Sequence, residues 1–253
     1  MGAPVLYHIQ VSHYNEKARW ALDYKRIPHV RRAPPPMMHT FWALAMTRSP
    51  TFPVLTLNGK RIGDSTRIIE ALEERYPEPP LYPADPDERR RALELEEFFD
   101  EELGPHIRRA LFAEVTKEPA LFAQAAAPRA GRVEHLIYRG TATAAAPILR
   151  LRYGINPDTA ELGRQKTKAA LDRVSAELQP SGYLVGDGFS VADLTAAALL
   201  MPIVWPEEAQ YLPRGPFPEA VHRWRDSVSE HPAFAWVDDM YRRHRGSSAE
   251  VAA

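Results

Sequence analysis

The chain has no cysteine among its 253 residues. Disulfides, thiolate metal sites and a cysteine nucleophile are therefore excluded, and any sulfur chemistry must use a thiol supplied by a ligand. It also lacks an excess of charge of either sign. Thirty-two Lys and Arg stand against 33 Asp and Glu, a formal charge of −1, so no global field draws the chain to nucleic acid or to an acidic membrane surface. No apolar run approaches the roughly 18 residues that span a bilayer. The first residues enter a strand without the regions of a signal peptide, and the expected compartment is the cytoplasm. The nine histidines are scattered, with no HExxH and no carboxylate cluster beside them, and His8 and His13 lie five apart across a change from strand to helix. No metal site is expected. The basic clusters "ERRR" at 88–91 and "RRHR" at 242–245 lie beside acids and read as solvated helix faces.

What is present divides by position. In the first 80 residues short apolar runs alternate with helical spacing. "VLYHIQV" (5–11) reads as a strand, and "NEKARWALDYK" (15–25) places Ala18, Ala21 and Leu22 on one helical face. "HVRRA" (29–33) is a short second strand. The proline block opening "PPPMMHTFWALAM" (34–46) stops it, and a loop or short helix follows. "TFPVLTLNGKRI" (51–62) is a hairpin turning at Asn58-Gly59, a pair that favours positive φ. Pro53 opens its first strand, as a cis turn or as a trans proline on an edge. "DSTRIIEALEERY" (64–76) is an amphipathic helix capped by Asp64 or Ser65, with Ile68, Ile69 and Leu72 as its buried stripe.

"YPEPPLYPADPDE" (76–88) then interrupts regular structure with five prolines. Beyond it helices are expected near 87–116, 128–146, 157–178, 190–203, 216–230 and 232–244, followed by a frayed tail. The expected organisation is a mixed α/β domain at 1–78, a linker at 79–87, an all-helical domain at 88–245 and the tail at 246–253.

The polar corner "SHYN" (12–15), between strand and helix, has two readings: a helix cap, or a place where chemistry happens. Three stretches bear on this. "SHYNEKARWAL" resembles the active-site serine or cysteine motif of the cytosolic glutathione transferases. "TFPVLTLNGKRIGDSTRIIEALEERYP" is similar to their cis-proline strand, hairpin and acid–serine pair. "YLVGDGFSVADLTAAALL" resembles their N-capping box and hydrophobic staple, at Ser190 to Asp193. The three occur in order, around a proline-rich linker. The resemblance implies an α/β thioredoxin-like N-terminal domain plus an all-α C-terminal bundle, the glutathione transferase fold, with glutathione as co-substrate.

Residue by residue, it implies that Ser12 donates a hydrogen bond to the glutathione sulfur, favouring thiolate over thiol, with the N-terminus of the first helix adding positive potential. His13 stands where the family often has proline, and it could touch the thiol, a substrate or solvent. Tyr7 is a rival for activation. Phe52, before Pro53, would pair its backbone with the cysteinyl part of the tripeptide. Asp64 and Ser65 would hold the γ-glutamyl end, and His39, rather than Arg48, the glycyl carboxylate. An apolar electrophile would bind between the domains, with Tyr14, Phe112 and Tyr138 as candidate walls. Ser190 and Asp193 are assigned to helix capping alone. The expected function is transfer of activated glutathione thiolate to that electrophile. Glutathione-dependent isomerisation or lysis, and a fold relative that binds without catalysis, are the alternatives. The family resemblance also implies a homodimer.

Overall fold

The computed structural model describes residues 2–34, 38–118, 121, 132–212 and 216–252, and of 132–139 and 142 the backbone alone. A four-stranded sheet comes first. Strand β1 (Val5–Tyr7) leads through helix α1 (His13–Tyr24) to β2 (Val30–Arg32), then α2 (His39–Thr47), β3 (Val54–Leu57), β4 (Lys60–Gly63) and α3 (Ser65–Arg75). The spatial order is β2-β1-β3-β4. β1 runs parallel to β2, and β3 is antiparallel to both β1 and β4. Leu6 pairs with Leu55, which places two apolar side chains on the buried face of the central pair. The hairpin turns where its sequence says: Asn58 and Gly59 both take positive φ, the backbone a type I′ turn requires. The Phe52–Pro53 peptide is cis, as is Glu78–Pro79.

The second part is helical. It comprises α4 (Pro86–Phe98), a π-helical turn (Phe99–Leu103), α5 (Gly104–Val115), α6 (Arg132–Arg152), α7 (Pro157–Glu177), α8 (Val191–Val204), α9 (Glu219–Asp226) and α10 (Pro232–His244). The single helix expected over 87–116 is thus two helices. The break lies where Gly104 meets His13 and Tyr14 of α1. α6 runs on past 146 to Arg152, through Pro147. α9 is shorter than the stretch expected over 216–230. Residues 128–131 lie outside the described residues.

One apolar core runs through both parts. Leu6, Trp20, Leu22 and Ile68 of the first join Leu95, Leu194, Val237 and Met240 of the second in a single buried cluster. α8 is buried along nearly its whole length. Its start is fixed as expected: the Asp193 carboxylate accepts from the Ser190 N–H at 2.9 Å, the Ser190 hydroxyl at 2.8 Å and the Leu184 N–H at 2.8 Å. Burial raises that carboxyl to about 6 against these bonds. Ser190 and Asp193 are not among the residues lining the cavity described below, which agrees with a structural role.

Two expectations are corrected here. The tail does not fray at 249–251: the Ala249 carbonyl accepts from the His29 N–H at 3.3 Å, and the Val251 N–H donates to the His29 carbonyl at 2.9 Å. The free edge of the sheet beside β2 recruits it, because unpaired backbone groups there need partners. Nor is "RRHR" wholly solvated. Arg242 and Arg243 pair with Asp239 on the surface, but Arg245 is buried and bonds Glu16 at 2.5 Å and Asp23 at 2.8 Å on α1. A charged side chain can lie there because carboxylates from another element meet it, which local sequence does not display.

Candidate functional site

The site forms where β1 gives way to α1. Ser12 has extended backbone at the helix N-terminus, and its hydroxyl makes no capping bond. Asn15, one turn on, organises the corner instead. Its carboxamide oxygen accepts from the Ile9 N–H at 3.0 Å, and its nitrogen donates to Ser12 Oγ at 2.8 Å and to the Phe52 carbonyl at 3.2 Å. One buried amide thus ties the serine to the strand that Pro53 opens. Because Ser12 Oγ accepts from Asn15, its own O–H remains to donate. Ser12 lines a cavity of about 970 Å³ together with Phe52, Pro53, Asp64, Ser65 and His39. The structure therefore brings all six residues expected around glutathione to one cavity.

Asp64 and Ser65 meet at the start of α3. The Asp64 carboxylate accepts from Thr66 N–H at 2.9 Å and Arg67 N–H at 3.3 Å, so it is the cap. Its φ of 77° and ψ of 133° lie outside the regions a non-glycine residue ordinarily occupies. Backbone held there costs on the order of 1–3 kcal/mol and is a recurrent feature of ligand sites. Ser65 is buried as the first helical residue.

His13 and Tyr14 turn to the helical domain. The His13 Nε2–H donates to the Gly104 carbonyl at 2.9 Å, and the Tyr14 hydroxyl donates to the Asp100 carbonyl at 2.6 Å, in the π-helical turn. A Cβ on Gly104 would fall 2.1 Å from the Tyr14 hydroxyl, so only glycine fits. Both residues border the cavity, yet both are engaged in joining the domains. Burial and then the Arg108 charge push the His13 imidazole down to about 3, which leaves it neutral. Of the contacts expected for His13, with the thiol, a substrate or solvent, the structure instead gives its Nε2–H to the Gly104 carbonyl, so it fastens the domains at the rim of the site.

That neutrality has a sign in stability. A histidine at about 3 in the folded chain and near 6.5 unfolded binds fewer protons when folded, so stability is whole above about pH 6.5 and drains as pH falls toward 3. The loss is up to several kcal/mol, at about 1.4 kcal/mol per pH unit. Asp193 works in the opposite sense between its ordinary range and about 6. The urea midpoint of His13→Gln should therefore change less between pH 7 and pH 5 than that of the wild type. Equal changes would show that the imidazole does not carry this dependence.

Tyr7 is placed elsewhere. It packs on Phe52 and Trp42, with ring centroids 6.4 and 6.2 Å away, and is absent from the cavity lining. Its strand position points it to the small apolar cluster under α2, so the rival role is corrected. Arg48 ends α2 outside the lining as well. Phe112, on α5, lines the cavity and meets Tyr153 edge-on at 5.8 Å. Tyr138 lies on α6, and its side chain is outside the described residues.

Sequence reasoning missed three participants. Asn15 carries a signal in its spacing, three residues after Ser12 on a helix start. Arg152 donates to Thr40 Oγ1 at 2.9 Å and to the Pro50 carbonyl at 3.3 Å, joining α6 to the start of α2, next to His39, and to the segment that follows α2. Arg108 belongs to a stripe with Leu111, Phe112 and Val115, which the one-turn spacing places along one face of α5. Behind the site, Lys17 is fully buried and bonds Thr66 at 2.8 Å, Asp100 at 2.5 Å and Glu96 at 2.7 Å, pinning α1 to α3 and α4.

Together these features define a thioredoxin-like domain with a polar corner open to a cavity shared with a helical bundle. The same two parts appear in comparison with known proteins. Residues 6–80 match the glutathione S-transferase N-terminal domain and residues 143–232 the glutathione S-transferase C-terminal domain. The chain belongs to the glutathione S-transferase family. It is 27% identical over 206 residues to FtsZ-localized protein A of Caulobacter vibrioides, covering 77% of this chain and 75% of that protein. Among solved structures it resembles a bacterial maleyl pyruvate isomerase of the Zeta class, with a TM-score of 0.61 and 22% identity over 95% of both chains. It also resembles a glutathione S-transferase from Methylobacterium radiotolerans in complex with glutathione sulfonate, with a TM-score of 0.57 and 21% identity over 92% of this chain and 93% of that one.

Proposed function

We propose that the chain is a serine-type glutathione transferase, binding glutathione at the Ser12 corner and activating its thiol for attack on an electrophile held between the domains. One observation carries this reading: Asn15 holds Ser12 Oγ as an acceptor and leaves the Ser12 O–H to donate into the cavity, beside the Phe52 carbonyl. Glutathione would lie extended against the Phe52–Pro53 segment, its cysteinyl N–H donating to the Phe52 carbonyl as an added strand does. Its γ-glutamyl carboxylate would meet Ser65 and the N-terminus of α3, and its ammonium the Asp64 carboxylate. His39 suits the glycyl carboxylate. The sulfur then faces Ser12 and the N-terminus of α1. The hydroxyl donates to the thiolate, and the helix end adds positive potential, so both favour the nucleophilic form. The thiolate attacks, and no covalent bond forms to the protein. Titration calorimetry with glutathione tests this reading. Binding at or below millimolar concentration is expected, and no heat at several millimolar would overturn it.

The same site supports glutathione-dependent isomerisation, the chemistry named for the Zeta-class relative. A second class of function, binding without turnover, is favoured by the FtsZ-localized relative, named for where it gathers rather than for a reaction. Glutathione binding without any conjugating or isomerising turnover would select it.

We further infer a cytoplasmic homodimer. No helix among the described residues is long and apolar enough to cross a membrane. α2 and its approach expose Met38, Phe41, Trp42 and Leu44, with Phe41 68% exposed, a surface suited to a second subunit. Light scattering should give about twice 28.6 kDa. A monomer mass would refute the pairing.

A further inference from the structure

The cavity holds an arginine that no acid among the described residues meets. Arg108, on α5, has its guanidinium carbon 4.4 Å from the centre of the Tyr153 ring. Its Nε is buried without a hydrogen-bond partner, and no described carboxylate forms an ion pair with it. This is unlike the other inward-facing arginines: Arg19, Arg31 and Arg245 each meet a buried carboxylate. Arg152, whose guanidinium lies 5.7 Å from the same ring, is already bound to Thr40 and Pro50. A guanidinium stacked on an aromatic ring is held in place, and its planar fork of N–H donors suits a carboxylate. Six described carboxylates line the cavity, and none pairs with Arg108. Glu96 and Asp100 are taken by Lys17, Asp64 caps α3, and Glu70, Glu97 and Glu101 make no ion pair with Arg108.

The apolar part of the same stripe continues along α5 as Leu111, Phe112 and Val115. Cation and apolar wall therefore stand side by side along α5, while the γ-glutamyl group would lie at the start of α3. Arg108 lies one turn along α5 from Gly104, whose carbonyl accepts from His13, the residue next to Ser12, so it belongs near the reacting end of the cavity.

We propose that Arg108 binds a carboxylate carried by the electrophile, so that the acceptors of this chain are flat, apolar electrophiles bearing an acid group. This rests on the thiol-transfer reading above and names its substrate class. Leu111 and Phe112 take the apolar body, and Arg108 fixes the orientation in which it meets the sulfur. A charge-assisted pair of this kind, made in a partly dry site, is worth roughly tenfold or more in affinity.

The test separates the anchor from the transfer. Dinitrobenzoate and its methyl ester, neither of which has a leaving group, are titrated by calorimetry into wild type, Arg108→Gln and Arg108→Lys without any thiol. Wild type should bind the acid about tenfold or more tightly than the ester. Arg108→Gln should lose that preference, and Arg108→Lys, which keeps the charge, should retain part of it. Turnover is then followed with glutathione and chlorodinitrobenzoate or its methyl ester. The thiolate attacks the chlorinated carbon, the C–S bond forms, the C–Cl bond breaks, and chloride leaves with its electron pair. After division by the uncatalysed rates, the acid-to-ester ratio of kcat/KM should fall by about tenfold or more in Arg108→Gln. Equal affinity of wild type for acid and ester would overturn the proposal. So would an Arg108→Gln variant that keeps the preference, or one that weakens glutathione instead. If glutathione itself does not bind, the transferase reading fails, while the thiol-free titrations still report whether Arg108 selects an acid.

Discussion

Ser12→Ala should lower kcat/KM for glutathione conjugation by roughly 10- to 100-fold near pH 7, the effect of removing one hydrogen bond to a charged group. The loss should shrink as pH rises toward the thiol's own ionisation, because base then supplies the thiolate that the hydroxyl no longer favours. Glutathione affinity should change much less, since most contacts proposed for the tripeptide lie at Phe52, Asp64, Ser65 and His39. Asn15→Ala is the companion variant. Its side chain touches Ser12 Oγ, the Phe52 carbonyl and the Ile9 N–H, so it should lose both rate and affinity. Steady-state kinetics from pH 6 to 9 read out both. A Ser12→Ala enzyme with wild-type kcat/KM throughout would move activation to the end of α1.

Arg245→Met should cost about 3–5 kcal/mol of stability, the range for removing one partner of a buried ion pair. Arg245 is fully buried and bonds Glu16 and Asp23 on α1. Asp23 also accepts from Arg31 at 2.6 Å, Gln210 at 3.1 Å and the Ala249 N–H at 2.8 Å, so the last helix, the tail and β2 all converge on it. Burial by itself would raise the Glu16 carboxyl, but Arg245 and Arg19 hold it down to about 2. Without Arg245, Glu16 and Asp23 remain buried and short of positive charge. Urea denaturation followed by far-UV circular dichroism measures the loss. Glu16→Gln added to Arg245→Met should recover part of it, because one stranded charge is then gone. A cost below about 1 kcal/mol would mean that water reaches the cluster freely.

These two cases show where the sequence was informative. Ser12 was legible because it sits at a local event, a strand ending and a helix beginning, and because Pro53 and the Asp64–Ser65 pair are also local signatures. The hairpin was equally plain from Asn58-Gly59, and the α3 stripe from Ile68, Ile69 and Leu72. Arg245 was not legible, since its partners Glu16 and Asp23 lie more than 200 positions away and Arg242, Arg243 and Gly246 around it are exposed. Tail docking at His29 was hidden for the same reason, because only the open sheet edge explains it. His13 was ambiguous as a letter and became definite through Gly104. The break between α4 and α5 follows from that same contact: Tyr14 reaches the Asp100 carbonyl, and a continuous α-helical ladder would have left that group paired within the helix. Arg108 and Arg152 carry no local signature, and only the fold brings both guanidinium groups to the same cavity and the same Tyr153 ring.

The central claim concerns the ionisation of bound glutathione. Its most direct test is the ultraviolet absorbance of the thiolate, titrated against pH for glutathione saturating the wild type and Ser12→Ala. The thiol bound to wild type should ionise at least about one pH unit below free glutathione, and the Ser12→Ala complex should return most of the way to the free value. Bound glutathione that ionises like the free thiol in both proteins would contradict the account.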